Sequence, residues 1–400
     1  MGVYCNPKHA DVLNEGNRIW MKSLFSRQSF TGVYIGLQFK KSQAAMPSPD
    51  TCSRWDGRSW MHQYWEEVRN KNITQIVLPG SHHSASSTLS EDAANDREGA
   101  AIVRWRLLLG KSCVDHVAGK WSKCQKLDIL QQLESGVRYL DLRVGWDASK
   151  FLPEHKLRAC YGFFSQDIGS ILQQVTDFCL NNTSEFVILD LKKLYFKVSQ
   201  IYVTTPLREA QNLHLVKVIE ERLGSLLVPS RLWHQTLSNI RPTGSRIFVF
   251  YPVRPDTTAW LRPWMIPGSY VDSMWPPLSE SSFLKSRVQS FIKTQEGKRQ
   301  QIIESSTAPK QESLFVMQGI VSKKSCHMVR GSILASVSYF SQGCLNFDTQ
   351  LSSIEAHASI VNPMLLKLLK NTYNPAFLNI ILLDWVDNTV LTREIIKLNL

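Results

Sequence analysis

Gly136-Val137-Arg138-Tyr139-Leu140-Asp141-Leu142-Arg143 opens an apolar and aromatic run over 136–144 that starts on a turn residue and carries charge near its end. Seven more runs rich in β-branched and aromatic residues, bounded by turn residues, recur at 74–78, 157–164, 185–191, 246–253, 269–274, 313–320 and 379–386. Several are continuously apolar rather than alternating, the pattern of parallel strands covered on both faces.

Helical patterns lie between the runs. Ile168, Ile171, Leu172, Val175 and Phe178 follow the i, i+3, i+4, i+7 rhythm, and Leu130 and Leu133 precede Gly136 as a C-cap. Further helices are expected at 215–227, 281–295, 352–372 and 390–399. Eight strands interleaved with helices predict an α/β fold, an irregular (β/α)8 TIM barrel in a single domain over 55–400. Residues 1–54, with Pro47 and Pro49 near the end, read as a poorly ordered N-terminal extension, and 296–312 as an exposed loop.

Composition narrows the function. Of the 400 residues 43% are hydrophobic and 20% charged, enough apolar surface for a core and too much for a disordered or fibrous chain. The most apolar stretch, 377–385, is only strand length, so no membrane-spanning helix is expected. A net charge of +12 biases the surface toward phosphates. The basic residues are dispersed and match no reader motif, which argues against nucleic acid. Eight cysteines without CxxC or zinc-finger spacing, and no signal-peptide pattern, suit free thiols in a cytoplasmic protein.

Chemistry in such barrels gathers at the C-terminal ends of the strands. There the chain places His82 and His83 after Pro79-Gly80-Ser81, then Asp141 and Arg143, Tyr161 before Gly162, Asp190 and Lys192, Arg254, and Asp384. Histidines, basic residues and carboxylates converging on one mouth suit an anionic substrate that needs proton transfer. Taken singly, an Asp-x-Arg is most often a structural ion pair and a His after a tight turn a satisfied polar group. Their coincidence at strand ends favours function.

Leu78-Pro79-Gly80-Ser81-His82, Gly136 to Arg143, and Glu185-Phe186-Val187-Ile188-Leu189-Asp190, in that order, resemble the X domain of phosphatidylinositol-specific phospholipases C. The likeness extends to the X-domain-only proteins of animals. It extends also to the trypanosome enzyme that cleaves glycosylphosphatidylinositol anchors, through Trp121-Ser122-Lys123-Cys124-Gln125, Phe315-Val316-Met317-Gln318-Gly319 and Asn379-Ile380-Ile381-Leu382-Leu383-Asp384.

The resemblance implies a (β/α)8 barrel and an intramolecular phosphoryl transfer. The inositol 2-hydroxyl attacks phosphorus, diacylglycerol leaves, and an inositol cyclic phosphate remains. It implies that His82 is the base, Asp384 its partner, and Arg143 the cation that replaces calcium. Lys192 and Arg254 are implied headgroup contacts, and Asp141 orients Arg143 or touches the headgroup. His83 stands where calcium-binding members often have Asn, so no metal and no calcium requirement are expected. The departure is Tyr161, where the family ordinarily places the acid histidine; His83 or His155 are substitutes for that task. Two readings follow: a metal-independent phosphodiesterase acting on phosphatidylinositol or glycosylphosphatidylinositol at the membrane, or a pseudoenzyme that binds phosphoinositide headgroups without cleaving them. Trp260, Trp264, Tyr270 and Trp275, with Arg262 between them, read either as an interfacial patch or as core.

Overall fold

A computed structural model describes residues 56–152, 155–197, 204–205, 209–252, 261–273, 313–320, 353–372, 378–387 and 389–400, with Lys293 and Gly297. The expected extension 1–54, helix 281–295 and loop 296–312 apart from Lys293 and Gly297, and Arg254, Trp260 and Trp275 lie outside these residues.

The elements in chain order are β1 Leu78–Ser81, α1 Arg97–Leu109, α2 Lys111–Ser122, α3 Ile129–Glu134, β2 Tyr139–Trp146, β3 Leu157–Tyr161, β4 Phe163–Asp167, α4 Ile168–Asn181, β5 Val187–Lys197, α5 Glu209–Leu223, β6 Ile247–Tyr251, β7 Met265–Pro267, β8 Val271–Asp272, β9 Leu314–Gly319, α6 Ile354–Thr372, β10 Ile380–Leu383 and α7 Thr389–Ile396. Strands β7-β6-β5-β2-β1-β10-β9-β8 lie side by side in that order, and every neighbouring pair is parallel. This is the barrel, with a seam: among the described residues no ladder joins β7 to β8, and the chain steps between them through the 3-10 turn Gly268–Tyr270.

Alternation along each strand sorts the core into two layers, because successive side chains point to opposite faces. Leu78, Tyr139, Ile188, Phe248, Phe250, Val316, Ile380 and Leu382 pack together in one cluster. Leu140, Leu142, Leu189, Leu191, Val249, Ile381 and Leu383 pack with Ile129 and Leu133 of α3 and Ile168, Ile171, Leu172 and Val175 of α4 in the other. The first set fills the barrel; the second faces the helices. Continuing the period puts Asp141 and Arg143 after Tyr139, Asp190 and Lys192 after Ile188, and Asp384 after Leu382 on the inner face at the strand ends.

At the opposite end, Arg138 and Glu185 of the sequence motifs are structural. Their buried ion pair, 2.6 Å long, is supplemented by Arg138 donating to the carbonyls of Leu133, Val137, Gly57 and Arg58. A buried guanidinium is tolerated only when its donors are satisfied in this way.

Three expected strands are corrected. Residues 73–75 form a 3-10 turn capped by Asn72, and the strand begins only at Leu78. The run 157–164 is not a barrel strand: it breaks at Gly162, whose φ of +72° suits glycine, into β3 and β4 of an antiparallel hairpin on β2. The run 269–274 contains the 3-10 turn at the seam, and β7, which precedes it, carries too few residues to register as a run. Helices α1 and α2 had no clear apolar stripe, since the adjacent leucines Leu107 and Leu108 are both exposed.

Candidate active site

Strands β1 and β10 end in register, Ser81 beside Leu383, so the next residue of each enters the mouth side by side. The His82 amide donates to the Leu383 carbonyl at 2.9 Å, and His82 Nδ1 lies 2.7 Å from Asp384 Oδ1. Both side chains are buried. A carboxylate on one ring nitrogen holds the tautomer and directs the other nitrogen outward as an acceptor. Each member is followed by a left-handed residue, His83 at φ +41° and Trp385 at φ +55°. Such backbone is uncommon for bulky side chains and gathers at functional sites.

Gln125, fully buried, ties the pair together. Its Nε2 donates to the carbonyls of His82 and Leu383 at 2.9 Å each, and its Oε1 accepts from the Val386 amide at 2.9 Å. The Trp385 amide donates to the Cys124 carbonyl at 2.7 Å.

Next to His82 the rings form a column. His83 is 4.2 Å from His82 between ring centroids and lies nearly flat on Tyr161, 3.6 Å away at 17°. The Arg143 guanidinium sits 5.3 Å from the Tyr161 ring centroid. Burial, with smaller contributions from Cys124 and Glu98, pushes the Tyr161 phenol well above its ordinary value. Burial opposes the charge of Arg143, but Asp141 and its other neighbours outweigh that and keep it protonated. Behind the column Asp96 accepts from the Gly162 amide at 2.9 Å and the Gly99 amide at 2.8 Å, anchoring the turn after Tyr161 to the start of α1.

Deeper in the mouth, pairing between β2 and β5 slips by one residue after Leu142, so Arg143 lies opposite Lys193. The bulge re-aims Lys192, whose Nζ lies 3.4 Å from Asp141 Oδ2 and 4.0 Å from Asp190 Oδ2. Tyr139 donates its hydroxyl to Asp190 at 2.5 Å. The two carboxylates diverge: burial works against ionisation of Asp141, but Lys192, His82 and Arg143 overcome it and lower its value, whereas burial and the Asp141 charge push Asp190 up to about 6. A cavity of about 500 Å³ opens over Asp141, Arg143, Asp190, Lys192, Lys193 and Gln318.

Of the nine residues that the sequence places at strand ends, eight lie in one connected site, His82, His83, Asp141, Arg143, Tyr161, Asp190, Lys192 and Asp384, and the ninth, Arg254, lies outside the described residues. His155 lies apart, exposed in the turn between β2 and β3. Asp190 stands among the strand-end residues of the sequence with no role assigned to it, and Gln125 and Tyr139 lie inside its motifs with none either. Asp190 has a positional signal, two residues before Lys192 on one strand; for Gln125 and Tyr139 only the fold supplies the partners that define their roles. Among the described residues His82, Cys124 and Asp384 form a group able to hold a metal ion, their donor atoms within 4.8 Å of one another. Trp264 belongs to the core, nearly buried and donating Nε1 to Glu220 at 3.1 Å, while Tyr270 packs on Trp233.

No protein-family model matches the chain. The fold does have solved counterparts: a variant of the phosphatidylinositol-specific phospholipase C from Staphylococcus aureus superposes with a TM-score of 0.51 over 86% of this chain and 97% of that one, at 18% identity. The chain thus has the barrel fold of the phosphatidylinositol-specific phospholipases C.

Among curated sequences, PI-PLC X domain-containing protein 3 of Homo sapiens is 22% identical over 275 residues, 68% of this chain and 76% of that protein. Variant-surface-glycoprotein phospholipase C of Trypanosoma cruzi is 31% identical over 165 residues, 38% of this chain and 40% of that protein. By sequence the chain is a relative of the phosphatidylinositol-specific phospholipase C X-domain proteins.

Proposed function

We propose that the chain is a phosphodiesterase that cleaves phosphatidylinositol or glycosylphosphatidylinositol to diacylglycerol and an inositol cyclic phosphate without a metal cofactor. The observation that carries this is the His82–Asp384 pair at 2.7 Å, beside a half-buried Arg143 and a cavity lined by charged side chains and large enough for a headgroup. His82 Nε2 takes the proton of the inositol 2-hydroxyl while Asp384 stabilises the imidazolium that forms. The new oxygen–phosphorus bond closes the ring as the bond to the diacylglycerol oxygen breaks. Arg143 supplies fixed positive charge to the phosphate oxygens, the electrostatic task a metal ion performs elsewhere. Lys192, Asp141 and Asp190 hold inositol hydroxyls, and Arg254 adds a further headgroup contact. Tyr161 is the proton donor to the leaving alkoxide; a phenol of raised pKa stays protonated and is a slow acid.

The lipid reaches the mouth from a membrane surface. Strand β2 runs about 10 Å beyond Arg143 before its turn, where Phe151 is 93% exposed. Lys150 of that turn pairs with Asp92, and the neighbouring Glu91 holds Arg106 and Lys111, which flank the exposed Leu107 and Leu108. These apolar tips make the peripheral contact of a cytoplasmic protein; no helix of the described residues is long and apolar enough to cross a membrane.

A second reading, headgroup binding without cleavage, draws on one observation: Tyr161 is buried under His83 and does not line the large cavity. The deciding experiment is release of water-soluble inositol phosphate from mixed phosphatidylinositol vesicles in excess chelator, with His82→Ala as control. Release that the control abolishes supports the enzyme; vesicle binding with no release supports the binder.

A further inference from the structure

We propose that His82, Cys124 and Asp384 form a binding site for zinc, and that zinc bound there is an inhibitor rather than a cofactor. The inhibitory consequence rests on the role of His82 proposed above; the binding does not.

The donors are a ring nitrogen, a thiol sulfur and a carboxylate oxygen, all buried and mutually within 4.8 Å. Tetrahedral zinc with sulfur at ~2.3 Å and nitrogen or oxygen at ~2.0–2.2 Å needs donors roughly 3.3–3.8 Å apart. The pair His82–Asp384 must open slightly from 2.7 Å, and Cys124 must approach by up to about 1 Å, side-chain movements only.

The backbones are already locked for it. Gln125, the residue after Cys124, bonds the His82 and Leu383 carbonyls and the Val386 amide, and the Cys124 carbonyl accepts from Trp385. The Cys124 amide donates to Ser86 Oγ at 2.9 Å. All three ligands thus sit on a single hydrogen-bonded frame, which lowers the reorganisation that a metal demands. Thiol and imidazole donors select zinc over calcium or magnesium, which require oxygen ligands. Binding releases one proton, that of the Cys124 thiol, while the single N–H of neutral His82 moves from Nδ1 to Nε2, freeing Nδ1 for the metal and leaving Nε2 unable to accept a proton. The imidazole then serves the metal through Nδ1, with its carboxylate partner engaged, and the base is withdrawn from the reaction.

The test uses the purified full chain in reducing, chelator-free buffer, titrated with Co2+ as a spectroscopic stand-in and then with competing Zn2+. The expected result is the strong visible absorption of four-coordinate cobalt together with a near-ultraviolet thiolate-to-metal band, both displaced by zinc. Cys124→Ser should lose the thiolate band and weaken affinity by at least ~100-fold, since even outer-shell partners are worth ~10–100-fold. Cys179→Ser, which removes a thiol on the buried face of α4, should keep the band. If Cys124→Ser does not fold, X-ray absorption of the zinc-loaded wild-type chain decides instead, with one sulfur among nitrogen and oxygen neighbours expected. A band retained in Cys124→Ser, zinc surrounded by no sulfur or by several, or no cobalt spectrum at all overturns the proposal. Zinc inhibition of lipid cleavage, weakened in Cys124→Ser, then reports the catalytic consequence. Absence of any cleavage would count against the enzymatic reading and leave the binding result standing.

Discussion

His83 lies nearly flat on Tyr161, with ring centroids 3.6 Å apart and planes 17° from parallel. Arg143 approaches the same tyrosine ring at 5.3 Å. One aromatic ring therefore separates the residue next to the base from the cation, and its size and polarity bear on both.

Replacing that ring is the most informative substitution. Tyr161→His is expected to raise inositol phosphate release at least ~10-fold and to introduce a pH dependence near ~6.5, because imidazolium is a far stronger acid than a buried phenol. Tyr161→Phe is expected to lower release further. Full activity in Tyr161→Phe would remove the phenol from the mechanism.

The base and its partner should differ in severity. His82→Ala is expected to cost ~10²–10⁴-fold in kcat, the range for losing a general base. Asp384→Asn keeps a polar side chain but loses the charge that stabilises imidazolium, and should lower kcat with little change in KM. Single-turnover kinetics on both variants check this, and an undiminished kcat in Asp384→Asn would show that the carboxylate acts only structurally.

Asp190 predicts a pH signature in stability. Its carboxyl is raised from 3.8 to about 6 by burial and the Asp141 charge. Folding therefore favours the protonated form, and this group's contribution is most favourable below the unfolded value and declines as pH rises through the folded one. Asp190→Asn is expected to raise folding stability near neutrality by on the order of 2 kcal/mol, with the gain vanishing toward about pH 4. Thermal denaturation at the two pH values measures it.

Gly80 leaves no room inside the barrel. A Cβ there would lie 3.0 Å from both Ile380 Cγ2 and Tyr139 Cδ1 and 3.4 Å from Leu382 Cδ1. Gly80→Ala is expected to destabilise the fold by ~1–3 kcal/mol, as overpacking a filled core does. Urea unfolding gives the value.

The apolar tips should matter to lipid and not to folding. Phe151→Ser combined with Leu107→Ser is expected to weaken binding to anionic vesicles at least ~10-fold, since each buried apolar side chain contributes ~1.5–3 kcal/mol. The melting temperature should stay unchanged, as both residues are exposed. Vesicle sedimentation that matches the wild type would move the membrane contact elsewhere.

Much of the barrel was legible because its strands are continuous apolar runs, and that pattern is local. The hairpin β3–β4 was not: nothing in 157–164 distinguishes an antiparallel excursion from a barrel strand until Gly162 adopts its left-handed turn. The aromatic patch was ambiguous for a related reason. Trp264 has the composition of an interfacial residue, and only packing against the α5 side chain of Glu220 makes it core.

The sequence by itself determined which residues stand at the strand ends, because a two-residue side-chain period and the residue that ends each apolar run are read along the chain. His82, Asp141, Arg143, Lys192 and Asp384 follow from that. Tertiary structure alone decided their relations. His82 and Asp384 are 302 positions apart and meet because β1 and β10 are neighbours in register. Lys192 reaches Asp141 because a bulge displaces it. Cys124 joins the pair because Gln125 pins its loop across both strand ends. Distance, burial and charge coupling depend on which strands close against each other, and no local pattern carries that information.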